Sequence, residues 1–434
     1  MTQPFDTLQA VAWYPPYQLG GTEVYLSGLI ASLAERGVRS GVLVPRAAGA
    51  PERYEHQGVA VLTYAPIAQG APASLAAFEA LLRAHPARIY NQHSWTPDCS
   101  LDHLRAAHRV GMKTVLTVHV PNIVCLRGTM MRFGREACDG FVDEVVCAAC
   151  RGQERGAPEW VATALAHMPA VLEEAGRRLP GRIGTALSGR SIARQRRADL
   201  TETVEAADRI VAVCQWLYDA ILKNGAPAAK LSMSRQGVSR AFCDEAAAAA
   251  AGRTVAVDGM LRLLYLGRWH PVKGIDVVVR ALRLRPDLQV RLTIHALDSG
   301  AEEAAYRREI EALAAGDPRI LIHPPLARSA IAATMAEHDL LVVPSVCLET
   351  GPLVALEAQA VGLPVLGSRL GGLIELIDSD DKGRLAPPGD PTAWADALQA
   401  LIAQPFDRTA MQPKSVRSMD EAAADMASLY HDLG

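Results

Sequence analysis

Two glutamates, Glu349 and Glu357, stand eight positions apart in SVCLETGPLVALEAQAVGLPV, on either side of a Gly351-Pro352 pair. The apolar run DLLVVPS before them reads as a buried strand. Pro352 suits the first turn of a helix, because its φ is preset and its missing N–H has no intrahelical partner to lose. A helix is therefore expected from Gly351-Pro352, with the early amides of Gly351, Leu353 and Val354 forming an anion site at its positive end. Glu357 would lie inside that helix, roughly 7–8 Å along its axis. Carboxylates beside an anion are tolerated when each receives hydrogen bonds, and ligand hydroxyls supply them. The ligand with that layout has hydroxyls, a phosphate group, then hydroxyls again, as in a nucleoside diphosphate sugar.

Positive charge comes from LYLGRWHPVKG, where Arg268 and Lys273 leave a strand five positions apart. Arg grips phosphate oxygens in pairs and Lys acts as a point charge, so together they would stabilise a departing diphosphate without a catalytic metal. In PPYQLGGTEVYLSGLIASLAERG, Gly20 and Gly21 sit between a strand and a helix, where glycine lets backbone approach a ligand. His119 ends the strand TVLTVH and would face the same ligand.

A different chemistry is written in CLRGTMMRFGREACDGFVDEVVCAAC. Cys125, Cys138, Cys147 and Cys150 are separated by twelve, eight and two residues. A C-x2-C pair puts two thiolates on one turn, and two earlier cysteines complete a tetrahedral sulfur shell suited to structural zinc. Iron–sulfur ligation and free thiols are the competing readings. Little periodicity and few large apolar groups surround the four, so a metal would stand in for a core, with about one zinc per chain expected.

These residues need a frame. A chain of 434 residues predicts two domains. Half the residues are apolar, 21% are charged and the net charge is -3, which gives no reason to expect nucleic acid. With no secretory leader and no apolar run of membrane-spanning length, the protein is expected in the cytoplasm. Short Val/Ile/Leu runs alternate with amphipathic stretches, the pattern of helix-covered parallel sheets. Strands are expected at AVAWY, GVLVP, VAVLT, ARIYN, KTVLTVH and RIVAV in the first half. In the second they are expected at LRLLYLG, VRLTIH, RILIH, DLLVVPS and LPVLGS.

The fold expected is α/β, with two Rossmann-like doubly wound domains at 1–240 and 241–404 facing across a cleft. A cysteine-rich insertion would occupy about 120–152 and a helical Arg-rich segment about 153–205. FCDEAAAAAAGRTVAVDGM reads as the hinge or the start of the second domain, and 405–434 as a helix packing back on the first. The acid-free, Arg-rich 177–197 is either a solvated face or a patch for an anionic membrane or acceptor.

Taken together, ETGPLVALE, GRWHPVKG, GGTEVYLSGLIASLAERG, EAADRIVAVCQWLYDAILKNG with RQGVSRAF, and PLVALEAQAVGLPVLGSRLGGLIELI resemble the retaining GT-B glycosyltransferases of family 4 over nearly the whole chain. The resemblance implies that Glu349 faces hydroxyls of the transferred sugar and that Glu357 binds ribose. It implies that Arg268 and Lys273 stabilise the leaving diphosphate and that His119 contacts the sugar near the reacting carbon. Transfer would proceed with retention, by same-face attack of a glycan or lipid-linked glycan acceptor at the inner face of a membrane, in cell-surface polysaccharide synthesis. A silent scaffold that binds nucleotide-sugar, or a GT-B epimerase or phosphorylase, is the alternative. Ser239, Cys214 and HPPL at 323–326 depart from the family pattern near the expected base pocket.

Overall fold

Val, Ile and Leu runs that are apolar on both sides can be buried only inside a helix-covered sheet, and two such sheets form here. The computed structural model describes the chain apart from residues 1–4, 18–19, 67–71, 170–172, 174–180, 182–183, 185–186, 254–258, 298–299 and 407–410. The chain divides into one compact unit of Met1–Arg235 with Asp420–Gly434, and a second of Gln236–Met419. The divisions fall at 235/236 and 419/420, where 240/241 and 404/405 were expected.

The first unit carries β1 (Thr7–Ala10), β2 (Ser40–Pro45), β3 (Arg53–His56), β4 (Val59–Tyr64), β5 (Ile89–Gln92) and β6 (Lys113–Val118). After β6 come a two-stranded antiparallel pair, β7 (Met131–Arg132) and β8 (Glu136–Ala137), then β9 (Arg209–Ala212) and β10 (Leu231–Met233). The main sheet runs β10-β9-β6-β5-β1-β2-β4-β3, parallel except for β3 against β4. Its order reverses between β1 and β5, the place where open sheets of this type bind ligands at the carboxyl ends of their strands.

β1 is TLQA and not the expected AVAWY, although Val11, Ala12 and Tyr14 are buried beyond its end. Thr7 and Gln9 broke the apolar pattern; both are buried, and they are satisfied by side-chain partners. Gln9 Nε2 donates to Thr7 Oγ1 at 2.9 Å and to the Tyr430 hydroxyl at 3.2 Å. Tyr430 lies on the closing helix Met419–Asp432, and its hydroxyl also accepts from Asn91 Nδ2 at 2.8 Å.

The second unit holds β11 (Leu261–Arg268), β12 (Val290–Leu297), β13 (Ile320–His323), β14 (Leu340–Val343), β15 (Val365–Ser368) and β16 (Gly383–Ala386). They are ordered β13-β12-β11-β14-β15-β16 and every pair is parallel. Alternate residues feed opposite faces. Leu263 and Tyr265 join Trp269, Ile275, Leu292 and Trp394 in one core, whereas Leu264 joins Phe242, Met335, Leu341 and Val361 in the other.

The alanine run is a helix, Arg240–Ala251, whose Phe242 and Ala246 are buried in that second core. It stands at the start of the second unit, the second of its two readings; residues 254–258 of the same stretch lie outside the described residues. The order of this sheet reverses between β11 and β14, the strands that lead into Arg268 and Glu349.

Candidate functional site

In the second unit the loop after β11 and the loop after β14 are locked together. Val346 N–H donates to the Val272 carbonyl at 2.9 Å. Gly274, with φ +67°, passes so close to β14's exit that an added Cβ would stand 2.0 Å from the Pro344 carbonyl oxygen. On the other side Gly372 N–H donates to the Glu349 carbonyl at 2.7 Å, and a Cβ on Gly372 would meet the Gly351 nitrogen at 2.8 Å. Three backbone segments therefore fix the ETG turn, and glycine is what lets them approach.

The helix begins at Leu353, with Pro352 at its N-cap, one or two residues later than expected, and runs to Val361. The leading amides of Leu353 and Val354 still stand at its start, with Gly351 just outside. Lys273 Nζ reaches Glu349 Oε1 at 2.6 Å, and Ser345 Oγ donates to the same oxygen at 2.7 Å. Burial works against the Glu349 carboxylate, but Lys273, then Ser345 and Arg268, outweigh it and hold its pKa below the usual range.

Glu357 is only 5% exposed. Burial raises its pKa, opposed by an ion pair with Arg328, whose guanidinium also stacks over Phe242 with the carbon 4.7 Å from the ring centre. Arg268 pairs with Glu303 at 3.2 Å and Lys273 with Glu349, so the two cations pair with different carboxylates, although both lower the Glu349 pKa. Sequence reasoning missed Ser345, Glu303 and Arg328. Ser345 lies four residues before Glu349, and Arg328 stands two residues after the departing HPPL stretch; these were the available signals.

In the first unit Gly20 caps the helix Gly21–Glu35. Its backbone is extended, so no positive φ demands glycine there. A Cβ on Gly20 would meet the Glu23 carboxylate at 2.7 Å, whereas one on Gly21 would meet nothing within 4 Å, leaving backbone accessible at that position.

His119 directly follows β6 and is 3% exposed. Its Nε2 lies 3.0 Å from His93 Nδ1, and His93 Nε2 lies 2.8 Å from Gln9 Oε1. Both rings are held neutral by burial, which brings the pKa of His119 down to about 3 and puts that of His93 well below 6.5, with His119 also opposing charge on His93. A neutral His119 offers hydrogen bonds, not an ionic charge. His93 and Gln9 were missed because a polar residue inside a buried strand reads as an interruption.

The pair has a consequence for stability. These imidazoles bind protons in the unfolded chain below about pH 6.5 and not in the folded one, so stability falls as pH drops below that value. For His119 the fall continues to about pH 3. Each contributes up to about 1.4 kcal/mol per pH unit in that window. Denaturant titrations at pH 7, 6 and 5 should show this slope, and His119→Asn should reduce it.

Cys125, Cys138, Cys147 and Cys150 are all free thiols and line one cavity of about 380 Å³. The closed four-sulfur shell expected from their spacing is not formed: among the described residues no three Cys, His, Asp or Glu side chains are gathered closely enough to hold an ion. The Arg-rich stretch lies partly outside the described residues. Of the arginines described, Arg190 and Arg194 pair with Glu144 at 3.7 and 3.1 Å, Arg196 donates to the Asn122 carbonyl, and Arg197 lies over the Phe141 ring. They face the cysteine segment. Among the described residues no helix is long and apolar enough to cross a membrane.

Comparison with solved structures places this fold. Sucrose-phosphate synthase from Thermosynechococcus elongatus superimposes with a TM-score of 0.67 at 19% identity, over 98% of each chain. HepE of Anabaena, solved in complex with UDP and glucose, gives 0.59 at 17% identity, over 99% of this chain and 97% of that one. The two parallel-sheet units are those of the GT-B class.

Residues 261–404 match the family described as Glycosyl transferases group 1, and residues 20–153 match the Glycosyl transferase 4-like domain. The chain belongs to this group 1, family 4 lineage of glycosyltransferases. A curated relative, D-inositol 3-phosphate glycosyltransferase of Pseudarthrobacter chlorophenolicus, is 34% identical over 249 residues, 55% of this chain and 59% of that protein. Alignments to the curated relatives span between 35% and 59% of their lengths.

Proposed function

We propose that the protein transfers a hexose-type sugar, with retention, from a nucleoside diphosphate sugar to a hydroxyl of a glycan or lipid-linked glycan. The observation that carries this reading is the Lys273–Glu349 pair beside the start of the helix Leu353–Val361. An ammonium there has three donors, enough to keep Glu349 and also reach a diphosphate oxygen. The helix amides add positive potential for the same group.

Glu349 then takes hydroxyls of the transferred sugar and Glu357 those of ribose, with Gly20 and Gly21 leaving backbone open on the first unit. Arg268 and Lys273 stabilise the charge that develops as the bond between the anomeric carbon and the diphosphate oxygen breaks. The acceptor hydroxyl bonds to that carbon from the same face, and its proton passes to the departing phosphate. His119, neutral, serves by hydrogen bonding. Relatives named as D-inositol 3-phosphate glycosyltransferases, and HepE solved with UDP and glucose, support a sugar donor and a hydroxyl-bearing acceptor.

The test is a binding panel of UDP-, GDP- and ADP-sugars with wild type and Glu357→Ala, followed by product analysis with the tightest donor. Selective binding that Glu357→Ala weakens, with nucleoside diphosphate released and the anomeric configuration kept, supports the reading. Inverted product, or equal binding to wild type and variant, overturns it.

A further inference from the structure

The segment from Pro121 to Glu154 needs a reason to hold its shape. It contains one 3₁₀ turn (Pro121–Ile123), the two-residue strands β7 and β8, and the helix Glu144–Glu154. Gly128, Met130, Phe133, Gly134 and Gly140 all have positive φ, and for the two non-glycine residues that conformation is unfavourable. Ordering backbone costs about 1–2 kcal/mol per residue. Ile123, Val124, Met130, Met131 and Val142 are buried in its loops, whereas the cluster beneath the helix has Ala148, Ala149, Ala166 and Ala193 as its buried members, with Leu126, Phe133 and Val145 only partly covered. Alanine removes little apolar surface from water, so burial beneath the helix adds little to what those loop side chains contribute. No disulfide links the four cysteines.

What converges on this segment is sulfur. Cys125 follows the 3₁₀ turn, Cys138 follows β8, and Cys147 and Cys150 lie three apart on one helix face, so three separate elements present thiols to the same cavity. The pocket, of about 380 Å³, is partly open to solvent. It gives four side chains room to turn inward about their Cα–Cβ bonds. Backbone already treats one sulfur as an acceptor: Phe133 N–H donates to Cys150 Sγ at 3.2 Å, a bond that a thiolate ligand keeps.

Charge around the cavity fits as well. One divalent ion on four thiolates carries a net charge of about -2. Arg127, Arg132 and Arg151 line the cavity. Of the carboxylates that also line it, Asp143 is engaged as the helix cap, accepting from Val145 and Val146 N–H at 2.9 and 2.7 Å, and Asp139 is paired with Lys223. Glu136 is the third.

We propose that Cys125, Cys138, Cys147 and Cys150 bind one zinc ion that closes this segment around itself. Four thiols release four protons to solvent, four Zn–S bonds form, and no sulfur is oxidised. The site has no open coordination position, so its work is structural. Zinc suits four thiolates better than the oxygen-seeking magnesium or calcium. The inference does not depend on the transferase reading, because its readouts are metal content and thiol protection.

The experiment is elemental analysis of the purified full-length protein, with thiol titration under native conditions before and after chelation. About one zinc per chain is expected, with Cys125, Cys138, Cys147 and Cys150 protected until chelation. Hydrogen exchange over 121–154 should then rise while exchange in β11 to β16 stays unchanged. Cys147→Ser should lose the metal and Cys243→Ser should keep it. If Cys147→Ser does not fold, the chelated wild-type protein supplies the comparison. Absence of metal with the four thiols freely reactive, disulfides among them, or iron with inorganic sulfide in place of zinc each overturns the proposal.

Discussion

Lys273→Met should lower turnover by about 10²–10³-fold, the loss typical when one preorganised group stabilising transition-state charge is removed. The same substitution should destabilise the Gln236–Met419 unit by about 3 kcal/mol, because it leaves the Glu349 carboxylate enclosed without its cation. Side-chain exposure of 25% for Lys273 and 13% for Glu349 places the pair near the low end of the range for buried pairs.

A second variant separates these effects. Glu349→Gln with Lys273→Met removes both charges, so stability should return toward wild type while turnover stays low. Recovery of turnover in the double variant would mean that Lys273 acts only by satisfying Glu349. The pH dependence has the opposite origin from that of the histidines. Glu349 has a lowered pKa in the folded protein, so the pair's contribution is complete above the ordinary carboxylate value and is lost as pH falls through the folded one. Lys273→Met should flatten the acid limb of the stability curve below about pH 4.5.

The second large effect is expected at Gly274. Gly274→Ala places a side chain on a backbone with φ +67° and brings its Cβ to 2.0 Å from the Pro344 carbonyl oxygen. The left-handed backbone alone costs about 1–2 kcal/mol. The overlap is with backbone and cannot be relieved by a rotamer change, so the two loops must part. Donor binding should fall with stability, because Lys273 precedes Gly274 and the loop after β14 carries Glu349. Gly316→Ala is the control: it has φ +83° but an added Cβ meets nothing within 4 Å. It should show the backbone penalty alone and leave donor binding intact. Equal melting temperatures for the two variants would sink the idea that loop contact at Gly274 matters.

Much of the architecture was legible because strands buried on both faces read as continuous apolar runs. The runs at β11, β12 and β14 needed no other information. β16 was missed because GRLA is short and carries an arginine, and β3 because RYEH is an edge strand with alternating exposed and half-buried residues. β1 was misplaced for a chemical reason: the groups that satisfy Thr7 and Gln9 come from far along the chain, so no local window contains them.

The candidate site divides in the same way. Glu349, Glu357, Arg268 and Lys273 were legible through spacing and through the turn between them. Which cation meets which carboxylate was not, because Arg328 reaches Glu357 and Glu303 reaches Arg268 only after the unit has folded. The helix start was off by one or two residues because proline is favoured at the cap boundary as well as inside the first turn.

The Tyr430 hydroxyl between Gln9 and Asn91 bears on the order of events at the ribosome. A chain emerging from its N-terminus presents residues 1–235 long before the residues that complete their unit. Until Tyr430 arrives, the Gln9 and Asn91 side-chain amides are each short of one interior acceptor, although Thr7, His93 and Thr117 already engage them, and the whole Gln236–Met419 unit is translated in the interval. The nascent first unit must therefore wait in an unfinished state, whereas the later-made second unit is one continuous stretch of chain. The unit that is synthesised first is the one that can be finished last.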